Sequence, residues 1–166
     1  MKSTACAQCA LGQFDDDSDA ATECAACGVG YHSAVGATSC TVCAVGQSDD
    51  DSDPSTACTD CVAGKYAATV GNVDCSACPA GKYSIVVGSF AAGDCTDCVA
   101  GKYMEDEGSS AESDCFLCGV GKYSTAVGSD SADDCTLCVA GKYSASEGND
   151  KETDCLVCGV GKYSIV

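Results

Sequence analysis

A chain of 166 residues with a net charge of −17, no Trp, and only about 15% Leu, Ile, Val and Phe cannot bury enough apolar surface for an ordinary globular core. Its hydrophobic fraction of 46% is carried largely by Ala and by 18 Cys, so something other than apolar burial must hold the fold. With 25 acidic residues against 8 Lys and no Arg, nucleic acid is excluded as a partner and anionic membranes are disfavoured, leaving cationic partners, divalent ions or plain solubility.

The opening "MKSTACAQCA" lacks the apolar stretch of a signal peptide, and no segment is long enough to span a bilayer, so no membrane insertion is expected here. Nine C-x-x-C pairs then follow: Cys6/Cys9, Cys24/Cys27, Cys40/Cys43, Cys58/Cys61, Cys75/Cys78, Cys95/Cys98, Cys115/Cys118, Cys135/Cys138 and Cys155/Cys158. Successive first cysteines are 18, 16, 18, 17, 20, 20, 20 and 20 residues apart. Complete modules read C-x-x-C-x-x-G-K-Y-S-x-x-x-G-x-x-x-x-x-D-C. No composition shift separates them, so residues 1–166 read as one continuous array. Its modules are roughly 9–24, 27–40, 43–58, 61–75, 78–95, 98–115, 118–135 and 138–155, with a truncated 158–166. The last stretch stops at the equivalent of residue 86, so the chain is expected to be a fragment of a longer protein.

Each fixed position has a local reason. Glycines at two places per module, Gly101 and Gly108 for example, mark turns that need positive φ or close backbone approach. The recurring Tyr at 66, 83, 103, 123, 143 and 163 is expected to pack on a neighbouring disulfide. Asp just before the next cysteine, at 74, 94, 114, 134 and 154, can accept a hydrogen bond from a turn backbone. Two short extended segments and a turn fit between these marks, and no 3.6-residue periodicity is present. The predicted fold is a set of small disulfide-rich repeats in an elongated rod or solenoid-like array, mostly irregular, with short β-hairpins and little helix.

A second period underlies the first: residues 98–124 and 138–164 match at 18 of 27 positions, so the better unit is two modules. One class of module carries acid after the aromatic mark: "DDDSD" at 15–19 and 49–53, "MEDEG" at 104–108, "SASEG" at 144–148. The other carries small apolar residues: "SAVG" at 33–36, "AATVG" at 67–71, "SIVVG" at 84–88, "STAVG" at 124–128, "SIV" at 164–166. Modules turning by half a revolution would place acidic loops on one side and apolar loops on the other. The modules starting at Cys61 and Cys78 are both apolar, so the phase slips once there.

Zinc is the main rival to disulfides, because two C-x-x-C pairs at this spacing fall near that of zinc ribbons. Nine pairs do not divide evenly among four-cysteine sites, and each such site would add negative charge to a chain at −17. Redox catalysis needs one exposed thiol of low pKa, not nine equivalent pairs. Disulfide staples are favoured over both.

The stretch C-x-x-G-x-[YF] leading to another Cys, as from Cys9 through Ala-Leu-Gly-Gln-Phe to Cys24, resembles the single-disulfide module of tumour necrosis factor receptors. The tandem array resembles the ephrin-receptor-like cysteine-rich repeats of long extracellular proteins, including surface proteins of protists and algae, and the resemblance covers essentially the whole chain. His32 and Ser48 depart from the pattern at the aromatic position. The resemblance implies elongated arrays with non-catalytic, structural or binding roles. It also implies a pairing of Cys9 to Cys24, Cys27 to Cys40, Cys43 to Cys58, Cys61 to Cys75, Cys78 to Cys95, Cys98 to Cys115, Cys118 to Cys135 and Cys138 to Cys155. Cys6 and Cys158 are left for modules outside. Interlaced pairing, first with third and second with fourth, is the competing scheme. A closed loop of about 15 residues contributes roughly 3 kcal/mol by loop-closure entropy, in modules with little apolar area to offset their ordering.

The acidic run at 15–19 is no EF-hand loop, since Ala20 and Ala26 stand where Gly and Glu are required. No cofactor is expected, and weak calcium binding shared among acidic loops is the one metal role left. His32 has no nucleophile set up with it, so no enzyme is expected. There is no N-glycosylation sequon, while loop Ser and Thr offer O-linked glycan acceptors. The expected function is an extracellular or cell-surface structural protein, a disulfide-stapled stalk or the protomer of a fibre. Its partners are itself or sister chains, through a stripe of Ile85, Val86, Val87, Ala126, Val127, Ile165 and Val166. The alternative is a receptor or adhesion ectodomain that binds a protein ligand.

Overall fold

In a computed structural model that describes residues 6–19 and 21–165, the chain forms sixteen two-residue strands paired as eight separate two-stranded sheets. No α-helix occurs among the described residues, only three-residue 3-10 turns such as Glu112–Asp114 and Ala132–Asp134. The expectation of short hairpins and little helix holds. Strands this short are below the usual length, so the ladder alone cannot hold them.

Two sequence marks build each hairpin. The residue after the second cysteine accepts a hydrogen bond from the residue after the first glycine, as in Lys102 N–H to Val99 O at 3.1 Å. That closes a tight turn with Gly101 at φ 80°, the left-handed geometry of a type II turn. The next two residues are the first strand, and the two residues inside the following C-x-x-C are the second. The cysteines thus bracket a strand, and the second cysteine returns its N–H to the turn glycine, as Cys118 does to Gly101 O at 2.8 Å.

The chain divides into two compact units. The first comprises Met1–Ser76 with Val87–Ala92. In it β1 (Gln13–Phe14) pairs with β2 (Ala25–Ala26), β3 (Tyr31–His32) with β4 (Thr41–Val42), and β5 (Gln47–Ser48) with β6 (Thr59–Asp60), all antiparallel. Strand β7 is Lys65–Tyr66 and β8 is Ser76–Ala77. The second unit comprises Ala77–Val86 with Gly93–Val166. There β9 (Lys82–Tyr83) pairs with β10 (Thr96–Asp97), β11 (Lys102–Tyr103) with β12 (Phe116–Leu117), β13 (Lys122–Tyr123) with β14 (Thr136–Leu137), and β15 (Lys142–Tyr143) with β16 (Leu156–Val157).

Consecutive modules are joined by a parallel ladder one bridge wide. Tyr83 bridges Ser109, Tyr103 bridges Ser129 and Tyr123 bridges Asn149 in the second unit, as Phe14 bridges Ala37 and Tyr66 bridges Ser89 in the first. The second module glycine adds a bond back to the preceding module, as in Gly128 N–H to Cys98 O and Gly71 N–H to Cys43 O, both 2.8 Å. Burial follows the cysteines: Cys43, Cys61, Cys78, Cys98 and Cys118 are almost fully enclosed. In the second unit Met104 packs with Cys98 and Cys115, and Tyr83 of the preceding module covers them. Tyr103 meets Phe116 across its hairpin, ring centroids 5.9 Å apart. In three modules the Asp before the next cysteine caps a 3-10 turn: the Asp114 carboxylate accepts from the N–H groups of Ser110 and Ala111, the Asp134 carboxylate from those of Asp130 and Ser131, and the Asp154 carboxylate from that of Lys151.

Candidate interaction surface

Eight disulfides join Cys9 to Cys24, Cys27 to Cys40, Cys43 to Cys58, Cys61 to Cys75, Cys78 to Cys95, Cys98 to Cys115, Cys118 to Cys135 and Cys138 to Cys155. Each closes its module across a sequence separation of 13 to 17. Cys6, exposed, and Cys158, half-buried, are free thiols.

Modules two apart meet glycine to glycine. In the first unit, a methyl group on Gly30 would overlap the carbonyl oxygen of Gly71, and one on Gly46 that of Gly88. In the second unit the same holds for Gly81 against Gly128 and Gly101 against Gly148. Each module therefore bonds to the next along the ladder and touches the one after it, which makes two columns of alternate modules within a unit. In the second unit the modules 78–95 and 118–135 share one column and the modules 98–115 and 138–155 the other. Geometry and chemistry part at one point. Gly46, whose module carries Asp49–Asp53, stacks on Gly88, whose module carries the apolar "SIVVG", so alternate-module stacking continues where the chemical alternation slips.

The apolar loops lie at the surface. In the second unit Ile85 is 71% exposed, Val86 51%, Val127 62% and Ile165 85%, and Ala126 is also exposed. Val87, 61% exposed, belongs to the first unit, and Val166 lies outside the described residues. Further exposed apolar residues were not read from the sequence: the turn residues Leu11, Val29, Val45 and Val62 in the first unit, and Val99, Val120 and Val139 in the second. Their signal was a branched apolar residue one or two positions after the second cysteine, present in every module but the one that begins Cys78-Pro79-Ala80.

The lysine ion pairs stay within their own modules or hairpins, whereas the Glu105 carboxylate accepts the Ala132 N–H of the next module at 3.2 Å. Lys82 contacts Asp97 at 2.7 Å, Lys102 contacts Glu112 at 3.2 Å and Lys142 contacts Glu152 at 3.3 Å, each within its own module or hairpin. The two "DDDSD" loops fold alike: Asp17 accepts from Asp19 N–H and the Thr22 hydroxyl, as Asp51 does from Asp53 N–H and the Thr56 hydroxyl. The Ser55 hydroxyl, followed by its N–H at 2.9 Å, holds the exposed Asp53 carboxyl below its usual value of 3.8. Asp15, Asp16 and Asp17 each bring a carboxylate oxygen within 4.8 Å of the others, and one Asp15 oxygen is already engaged by Ser18 N–H. A shallow groove of about 300 Å³ beside the Cys61–Cys75 disulfide is lined by Asp50, Asp60, Asp74 and Lys65 among others, and the Thr59 hydroxyl donates to the Asp50 carboxylate at 3.1 Å.

In seven modules the residue behind the first strand enters a closed slot that the sequence did not mark as core. Ser33, Ser84, Ser124 and Ser144 fill it in four modules, Ala67 and Met104 in two others. Asp49 fills it in the module 43–58, where its buried carboxylate accepts the Gly30 N–H at 2.8 Å. Met104 stood out in the sequence only as the one large residue at a position otherwise small.

These features define a tandem array of small, disulfide-closed cysteine-rich repeats. Residues 51–95 match the family described as tyrosine-protein kinase ephrin type A/B receptor-like. No curated protein matches the chain. No helix among the described residues is long and apolar enough to cross a membrane. The disulfides and the family match are those of an extracellular, receptor-like repeat module.

Proposed function

We propose that the chain is a structural element of the cell exterior, a disulfide-stapled stalk or the protomer of a surface fibre whose partner is itself or a sister chain. The observation that carries this reading is the repetition of one geometry: the same turn, disulfide, ladder bond and glycine contact recur module after module. Variation between modules is periodic in acid and apolar loops, whereas a ligand site needs one module unlike its neighbours. Repeats that contact only near neighbours build long, quasi-one-dimensional objects. Loop hydroxyls such as Thr125 are exposed and offer O-linked glycan acceptors.

Negative-stain micrographs of native material test it. Fibres or bundles are expected, and a monodisperse particle that binds one soluble protein would replace this reading with that of a receptor or adhesion ectodomain. The family match at 51–95 is what favours that second reading.

A further inference from the structure

We propose that the groove beside the Cys61–Cys75 disulfide is a binding site for a small aromatic amine, a molecule with one ring and a protonated amino group on a short chain. The inference goes beyond the structural reading above and stands whether or not the chain assembles. It starts from a departure confined to one module. Five residues after the second cysteine every other module carries a ring, from Phe14 to Tyr163, and the module 43–58 carries Ser48. In the second unit that position lies over the disulfide of the following module, where Tyr83 packs against Cys98, Cys115 and Met104. Ser48 takes the same place in the first unit, its Oγ 3.3 Å from Cys75 Sγ. A serine cannot cover what a phenol ring covers, and the groove of about 300 Å³ opens there, walled by Ser48, Cys61, Val62 and Cys75. Sulfur packs favourably against aromatic rings, and the volume stands at the low end for small-molecule sites.

The residue beside Ser48 departs as well. Cys-Thr-Asp-Cys occurs at 58–61 and again at 95–98, which allows a like-for-like comparison. At the second place Asp97 faces Lys82 across the hairpin and meets its ammonium at 2.7 Å. At the first place Asp60 faces Gln47, whose amide donates to it at 3.0 Å without supplying charge. The module 43–58 thus lacks both the cation and the ring that the module 78–95 supplies from its own chain. Asp50 and Asp74 line the same groove, so three carboxylates stand against the single ammonium of Lys65.

Those two gaps select the occupant. A ring covers the disulfide and Val62, as Tyr83 covers Cys98 and Cys115, and an ammonium answers Asp60 as Lys82 answers Asp97. A neutral ring leaves the three carboxylates unanswered, a metal ion leaves the sulfur wall bare, and an anion meets repulsion from all three Asp. A free amine needs room only for its ring and chain, whereas a peptide must also bring its backbone past the rim.

Tyramine is the probe, titrated at neutral pH while the amide NMR signals of Ser48, Asp60 and Cys75 are followed. Saturable shifts of these signals are expected, with half-saturation at roughly 1 mM because the groove is shallow and the ligand small. Phenol alone and ethylamine alone should each bind about tenfold more weakly. Ser48→Tyr restores the residue of the sister modules and should lose about tenfold in affinity, with its disulfides intact by mass. Asp60→Asn, altered at an exposed position, should weaken tyramine, and Lys65→Gln should tighten it by removing a like charge. Any of four results overturns the site: undiminished binding to Ser48→Tyr, phenol or ethylamine binding as well as tyramine, calcium shifting these signals where tyramine does not, or no saturable shift up to about 10 mM.

Discussion

Gly101 lies directly against the carbonyl oxygen of Gly148, two modules along the chain, and leaves no room there for a methyl group. Gly121 occupies the equivalent turn of the next module at φ 73°, with nothing within 4 Å of where its Cβ would stand. The two positions separate backbone strain from stacking. Gly121→Ala should cost about 1–2 kcal/mol, the penalty of a left-handed backbone for a residue with a side chain. Gly101→Ala should cost roughly 2 kcal/mol more, because the column must open to admit the methyl. Thermal unfolding under non-reducing conditions reads the difference, and equal losses would mean that contact between alternate modules contributes nothing.

The parts of the fold legible in the sequence were those set within a single module. The glycine turn, the capping Asp114 and Asp134, the hairpins and the near absence of helix each follow from residues a few positions apart. What could not be read depends on laying one module over another. Nothing in the sequence of Gly101 names Gly148 as its neighbour, and nothing marks Met104 as the plug beside Cys98 and Cys115. The chemical alternation slips once, at the modules starting at Cys61 and Cys78, yet the stacking does not, because Gly46 meets Gly88 as Gly81 meets Gly128. Backbone contacts between glycines set the stacking and are indifferent to whether the loops are acidic or apolar.

Two modules lack the second glycine and keep its conformation. Ser52 stands nine residues after its cysteine, as Gly36 does, and adopts φ 54°, while Gly36 has φ 73°. Ser18 does the same at φ 61°. Ser52→Gly should relieve roughly 1–2 kcal/mol of left-handed strain against a loss of roughly 0.5–1 kcal/mol in unfolded-chain entropy. A net gain of about 0.5–1 kcal/mol is expected by denaturant unfolding. A destabilised variant would show that the Ser52 side chain, not its backbone, holds the acidic loop.

Asp53 gives the acidic loops a pH signature. Because hydrogen bonds from Ser55 favour its ionised form, its carboxyl is expected to titrate below 3.8 in a carbon-detected NMR titration. Ser55→Ala should move it back toward 3.8 by removing the larger contribution, the hydroxyl. The sign for stability follows: a depressed carboxyl helps the folded loop above its unfolded pKa, and the help fades as pH falls through the folded value. The group is fully exposed, so the loop loosens locally in acid while the disulfides keep the array joined. An unchanged Asp53 titration in Ser55→Ala would leave the depression without its cause.

Covalent continuity is itself testable. Lys65, Lys82, Lys102, Lys122 and Lys142 each lie inside a loop closed by one disulfide, respectively Cys61–Cys75, Cys78–Cys95, Cys98–Cys115, Cys118–Cys135 and Cys138–Cys155. Trypsin cutting after each should leave one disulfide-linked assembly in an unreduced digest. The cysteine-free peptides are the exceptions: 143–151, cut out of the Cys138–Cys155 loop between Lys142 and Lys151, and the end pieces 1–2 and 163–166 should be released. Reduction should then free the remaining peptides together. Pairing within each C-x-x-C would instead release separate peptides before reduction, and breaks at alternate modules only would indicate interlaced bridges. Either result would remove the module-by-module staple, because the strand bracketed by each C-x-x-C would no longer be tied to the loops on both sides.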